Sequence, residues 1–238
     1  MMKILIISDI HANWYALEAI LNKESYDALI FLGDVVDFGP SPRNCIKFLM
    51  NSSKGRFWGV RGDHDHAMAY GINSKCPGEL NLISDITREW GEGFLSSEEV
   101  GFLRRLPIDN QFCIDSMNFE LVHGTDLDAS IYSECSSTFE IDNSAVDSFD
   151  KMFILVGHSH KPYIKMIGNT TVLNPGSVGQ PRDFNPCASY AVIENGVPYI
   201  KRISYDIERT VNDLERSTLP KYLTSKLSSM LYTGGRLN

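Results

Sequence analysis

Apolar positions along the chain change their period in a regular order. Lys3 to Ile7 is a short β-rich apolar run, after which Trp14, Leu17, Ile20 and Leu21 share one helical face behind Asn13, a capping residue. Ala28 to Leu32 is fully apolar and predicts a buried strand. Ser41-Pro42, a cap with proline at the first helical position, opens a helix containing Ile46 and Leu49, and Phe57 to Val60 predicts a third strand. This βαβαβ opening predicts a largely parallel sheet with active residues beyond the carboxyl ends of its strands.

Residues 67–111 carry a helical pattern. Within them Ser96-Ser97-Glu98-Glu99 is a capping box ahead of Phe102, Leu103 and Leu106, and Pro107 stops that helix. Strand patterns return at 111–115, 118–122 and Phe153 to Val156. Gly168-Asn169 and Asn195-Gly196 are two-residue turn signals that predict two hairpins, and a second, more antiparallel sheet is expected there. From Asp206 to about Leu231 two amphipathic helices, separated by Pro220, are expected to cover a sheet. With no linker, repeat or low-complexity run, residues 1–238 are expected to form a single domain, with a helical insertion at about 67–111 and C-terminal helices from about 206.

Composition narrows the classes. The 238 residues are enough for a sizeable core without a covalent staple. Five cysteines, odd in number, scattered and without a C-x-x-C pair, indicate neither a disulfide framework nor a structural zinc site, and point to a reducing compartment. The run Ile4 to Ile7 is too short for a signal-peptide core and no stretch approaches a membrane span, so a soluble, cytoplasmic protein with no membrane partner is expected. A net charge of −8 disfavours a long nucleic acid as partner. A small phosphorylated substrate remains compatible, because bound cations invert the local field. No feature of the sequence specifies an oligomeric state.

The candidate chemistry lies where the strands end. Asp9, Asp34 and Asp63 each follow a predicted strand, and Gly33 lets the backbone turn so that Asp34 projects. Five of the six histidines stand at similar places: His11, His64, His123, His158 and His160. The sixth, His66, reads as a surface residue. In an extended segment residues i and i+2 point the same way, so Asp9 with His11, and His158 with His160, are each expected to face one cavity. Imidazole and carboxylate together suit Zn, Mn, Fe or similar metals, and the ligand count suits two ions. One such segment is commonly an ordinary polar pair; five in order, each after a predicted strand, are not explained by packing.

Taken in order, D-x-H, G-D, G-N-H-D/E, H-G and G-H-x-H, from Ile4 to His160, resemble the signature of the calcineurin-like metallophosphoesterases. Leu173-Asn174-Pro175-Gly176-Ser177-Val178-Gly179-Gln180-Pro181-Arg182, followed by Ala188-Ser189-Tyr190, resembles a bacterial and archaeal subfamily of similar length. The resemblance implies an α/β fold, a four-layer αββα sandwich of two mixed β-sheets with a dinuclear metal centre at the strand ends. It implies Asp9, His11 and His160 as ligands of one ion, His123 and His158 as ligands of the other, and Asp34 as the bridge. Asp63 stands where the family normally supplies asparagine as a ligand. His64 resembles the catalytic histidine, and Asp37 the carboxylate that pairs with it. The phosphate-binding arginine of G-D-x-V-D-R-G is replaced by Phe38, which leaves Arg182 or Arg61 as candidate substrate contacts. The implied function is metal-dependent hydrolysis of a small phosphomonoester or phosphodiester by a metal-bound hydroxide, with two divalent ions of Mn, Fe, Zn or Ni. The alternative is a catalytically weak metal-binding scaffold, as the retromer subunit of this fold is.

Overall fold

In the computed structural model, which describes residues 2–124 and 151–236, every side chain from Ile4 to Ile7 is buried, because strand β1 (Lys3–Ile7) is covered on both faces. Ile4 and Ile6 join Phe119, Leu121, Phe153, Leu155 and Leu173 between two sheets, whereas Leu5 and Ile7 join Leu17, Ile20, Ile46 and Leu49 of helices α1 (Trp14–Lys23) and α2 (Pro42–Ser52). Alternation along one strand thus sets the layers.

The first sheet also holds β2 (Ala28–Phe31), β3 (Phe57–Gly59), β9 (Ala188–Glu194) and β10 (Val197–Ile203), in the order β10-β9-β1-β2-β3. The second holds β4 (Asp109–Ile114), β5 (Met117–Val122), β6 (Lys151–Leu155), β7 (Tyr163–Ile167) and β8 (Thr170–Asn174), in the order β4-β5-β6-β8-β7. Both are mixed: β1, β2 and β3 run parallel, as do β5, β6 and β8, and antiparallel strands complete each sheet. The expected sandwich of two mixed sheets flanked by helices is what forms. Its parallel strands end along one rim, which brings the segments after β1, β2, β3, β5 and β6 together.

Between β3 and β4 run α3 (Asp63–Tyr70), α4 (Glu79–Glu92) and α5 (Ser97–Arg105). The Ser96–Glu99 capping box closes reciprocally, with Glu99 N–H donating to Ser96 Oγ and Ser96 N–H to Glu99 Oε2. Two expectations change. The Asn195-Gly196 hairpin belongs to the first sheet, because β9 pairs antiparallel with β1 while β10 takes the edge; only the Gly168-Asn169 hairpin joins the second. The C-terminal helices α6 (Ile207–Arg216) and α7 (Lys221–Thr233) do not cover a sheet. Their Val211, Leu214, Leu223, Leu227 and Leu231 pack with Phe38 and with Ile83 of α4 in a third core. Amphipathicity specifies a buried stripe but not its partner. Cys135 lies outside the described residues; Cys45, Cys76, Cys113 and Cys187 are free thiols.

Candidate metal centre

The strand-end segments are not extended. Asp9, His11, Asp34, His158 and His160 have φ of 52°, 45°, 61°, 67° and 59°. Such left-handed residues without glycine are costly and persist only where their surroundings hold them. Here Asp9 N–H donates to Gly33 O (2.9 Å), His11 N–H to Asp34 O (3.0 Å), and Ser177 Oγ to Asp9 O (2.7 Å). The Asp65 carboxylate accepts from the N–H groups of Asp34 (2.8 Å), Val35 (2.8 Å) and Gly62 (3.1 Å), tying the loops after β2 and β3 together. Burial, with Asp34 beside it, lifts the Asp65 pKa to about 7. A side chain at Gly62 would run into Asp34 Oδ1, so glycine there is what lets the carboxylate reach the centre. The left-handed turns also correct the pairing by alternation: Asp9 and His11 do converge, but His158 and His160 part to different clusters.

The first cluster is Asp9, His11 and His160, all buried. His11 Nδ1–H donates to Val36 O (2.9 Å) and His160 Nδ1–H to Gln180 O (2.5 Å). Carbonyls only accept, so each ring carries a lone pair on Nε2. These two nitrogens face each other at 3.1 Å, Asp9 Oδ1 lies 3.5 Å from His160 Nε2, and Asp9 Oδ2 is buried without a partner. Burial presses the His11 pKa down to about 3 and holds that of His160 well below its usual value, so both rings stay neutral.

The second cluster is Asp34, Asp63, His123 and His158. His123 Nδ1–H donates to Leu32 O (2.6 Å), while its Nε2 stands 3.0 Å from Asp34 Oδ2 and 3.1 Å from Asp63 Oδ1 without a hydrogen-bonded geometry to either. His158 Nδ1 lies 3.1 Å from Asp63 Oδ1. Burial opposes the charge of Asp63, but the close His123 ring and the hydrogen bond with His158 outweigh it and hold the carboxylate well below its ordinary range. Asp34 Oδ2 is also 3.9 Å from His11 Nε2, which puts this carboxylate between the clusters. Converging lone pairs, orphaned buried atoms and a mixed imidazole and carboxylate set fit two borderline divalent cations.

Beside them His64 Nδ1–H donates to Asp37 Oδ2 (2.7 Å), which also accepts from Ser84 Oγ (2.9 Å). Burial disfavours the His64 imidazolium, yet Asp34 and the hydrogen bond to Asp37 outweigh it and hold its pKa well above the ordinary value. Its Nε2 faces Cys76 Sγ at 3.2 Å. Arg182 donates to Gln180 Oε1 (2.8 Å), keeps a buried Nε without a partner, and lies within electrostatic reach of Asp9, Asp34 and Asp63. Arg61 is not brought in: its guanidinium donates to Arg104 O (3.0 Å) and stacks on Tyr70 at 5.2 Å. The ring of His66 likewise packs on Tyr70. Sequence reasoning gave no role to Asp65, Ser84 or Cys76. For Asp65 a signal existed, its place in Gly62-Asp63-His64-Asp65; Ser84 and Cys76 lie in the helical insertion, where nothing marked them.

A metallophosphoesterase from Sphaerobacter thermophilus has a similar structure, with a TM-score of 0.72, 28% identity, and coverage of 98% of this chain and 99% of the other. A protein of Methanocaldococcus jannaschii is 27% identical over 244 residues, 94% of this chain and 96% of the relative. The phosphodiesterase YfcE of Escherichia coli K12 is 24% identical over 209 residues, 83% of this chain and 90% of its own. The pattern of the calcineurin-like phosphoesterase superfamily domain matches residues 2–196, a span that begins at β1, ends after β9 and contains every ligand segment on the rim. By that match the chain belongs to the calcineurin-like phosphoesterase superfamily.

Proposed function

We propose that the chain is a metal-dependent phosphoesterase that hydrolyses a small phosphomonoester or phosphodiester. The observation that carries this reading is the meeting of the His11 and His160 Nε2 lone pairs at 3.1 Å, beside the unpartnered Asp9 Oδ2, an arrangement that is repulsive alone and stabilised by a cation. Asp9, His11 and His160 would hold one ion, and Asp63, His123 and His158 the other, with Asp34 shared. Mn, Fe, Zn and Ni all suit these donors. When bound, such a pair supplies Lewis-acid polarisation of phosphoryl oxygens and a more acidic water.

The chain's own residues do the rest. Asp37 and Ser84 fix the His64 ring, and the protonated imidazole gives its Nε2 proton to the departing oxygen, a contribution of about 10² to 10⁴-fold. Phe38 packs its ring 4.9 Å from His11 and 5.0 Å from His64, which keeps water from that side of both imidazoles. Arg182, within electrostatic reach of Asp9, Asp34 and Asp63, is the guanidinium for the phosphate oxygens, whereas Arg61 is turned to Arg104 O and the Tyr70 ring. The acidic net charge of −8 favours a small substrate over a long nucleic acid. Among the described residues no helix is long and apolar enough to cross a membrane. The intact His64–Asp37 pair and both ligand clusters favour hydrolysis over a metal-binding scaffold.

Protein stripped of metal and reconstituted with Mn²⁺, Ni²⁺, Zn²⁺ or Mg²⁺ is to be assayed against phosphomonoesters, cyclic nucleotides and dinucleoside polyphosphates. Metal-dependent hydrolysis of at least one class is expected, with about two ions per chain by elemental analysis. Asp34→Asn should lower the content of both ions. A stoichiometry near zero, or one unchanged in Asp34→Asn, overturns the dinuclear reading.

A further inference from the structure

The helical insertion sets a third group of ligand atoms against the two clusters, and the proposed hydrolysis makes no use of it as a group. Cys76 Sγ lies 3.2 Å from His64 Nε2, Asp63 Oδ2 lies 3.7 Å from the same nitrogen, and the three residues offer ligand atoms within 4.8 Å of one another. Asp63 divides its carboxylate: Oδ1 faces His123 and His158 at 3.1 Å each, and Oδ2 faces His64. An asparagine at this position, as the sequence resemblance leads one to expect, has one oxygen and cannot serve both sides. The imidazole is prepared as well. Its Nδ1–H is held by Asp37, which leaves Nε2 aimed at the group, the carboxylate–histidine arrangement that orients imidazole ligands in metal sites. Around a tetrahedral ion with bonds of about 2.3 Å to sulfur and about 2.0–2.1 Å to nitrogen and oxygen, ligand atoms stand about 3.3–3.6 Å apart. The sulfur–nitrogen spacing here is 3.2 Å and the nitrogen–oxygen spacing 3.7 Å; each is about 0.3 Å from the tetrahedral value for its pair, a difference that small side-chain rotations close.

We propose that Cys76, His64 and Asp63 form a third, thiolate-containing site for a soft or borderline divalent cation, Zn²⁺ or its analogue Cd²⁺, and that filling it inhibits hydrolysis by displacing to solvent the Nε2 proton that His64 would otherwise give to the departing oxygen. The thiolate sets the selectivity, since sulfur prefers zinc and cadmium to manganese or magnesium. Cys76 is half-buried, and Ser74 Oγ, 3.5 Å from its sulfur and 2.9 Å from Ser84 Oγ, ties its loop to α4. The binding half of the proposal stands on ligand geometry; the inhibitory half rests on the role proposed for His64.

The test is a titration of Mn²⁺-loaded protein with Cd²⁺ and, separately, Zn²⁺. Cd²⁺ is expected to raise a thiolate-to-metal charge-transfer absorption that saturates near one equivalent, and hydrolysis should fall by about tenfold or more as it saturates. Extra Mn²⁺ or Mg²⁺ should do neither. Cys76→Ser should abolish both the absorption and the inhibition while keeping the parent's manganese content and Mn²⁺-supported activity, and Cys76→Ala should repeat this. An absorption that survives both substitutions overturns the site, and one that saturates with no loss of activity overturns the inhibition. Failure of the phosphoesterase reading would appear separately, as no Mn²⁺-supported hydrolysis before cadmium is added, and the absorption titration would still report on the site.

Discussion

His64 shows how one residue's chemistry depends on neighbours far away in sequence. Asp37 and Ser84 hold its Nδ1 side, and Asp34 Oδ1 accepts from its backbone N–H at 3.0 Å. In this reading the ring moves a proton and holds no catalytic ion. His64→Asn is therefore expected to lower turnover by about 10² or more on esters with poor leaving groups, with metal content unchanged. Kinetics on esters of graded leaving-group pKa, with elemental analysis of the same samples, check this; loss of an ion from the variant would reassign the residue. The candidate ligands were legible as residue types at strand ends. Their backbone was not, because left-handed φ at Asp9, His11, His158 and His160 comes from hydrogen bonds to Gly33, Ser177 and other partners that no local pattern announces.

At the scale of elements, local signals did best where the chain satisfies its own backbone. Asn195 and Gly196, with φ of 54° and 74°, make the two-residue turn their identities predict. Asp115-Ser116 makes another between β4 and β5; lacking glycine, it marks its position less sharply, and the strand patterns 111–115 and 118–122 place the break one residue late, at 116–117. How elements join is clearest at Glu24, at the end of α1, which accepts from Lys3 on β1, Tyr190 on β9 and Lys201 on β10. Burial opposes its charge, but these hydrogen bonds outweigh it and bring its pKa from 4.5 down to about 2. A depressed carboxylate stabilises the fold fully above its unfolded pKa, and that contribution fades as pH falls from there through the folded pKa. Glu24→Gln is expected to cost on the order of 2 kcal/mol near neutral pH, discounted because both lysines are partly exposed, and the gap should narrow between about pH 4.5 and 2. Urea unfolding of both proteins across that window measures it, and a gap that does not change with pH would show the linkage to be absent.

At the scale of the molecule, three apolar clusters among the described residues divide the work. One lies between the sheets, one under α1, α2 and α5, and the third joins α4, α6 and α7 to Phe38, which in turn touches His11 and His64. The C-terminal helices thus brace one wall of the candidate metal centre. Leu223, fully buried in the third cluster, gives the test: Leu223→Ala should destabilise the fold by about 2–5 kcal/mol in urea unfolding while metal stoichiometry is kept. A variant of parental stability would mean that α7 is not held by this packing. Most element types, both glycine-marked hairpins and the candidate ligand residues are readable from the chain alone, because propensity, turn chemistry and strand-end placement are local properties. Only the folded chain shows which sheet takes β9 and β10, that Arg61 turns to Arg104 and Tyr70, and that Ser84 and Cys76 of the insertion stand beside His64. Those outcomes depend on which buried faces find each other and which backbone groups must be satisfied across the rim, and neither is encoded within any one segment.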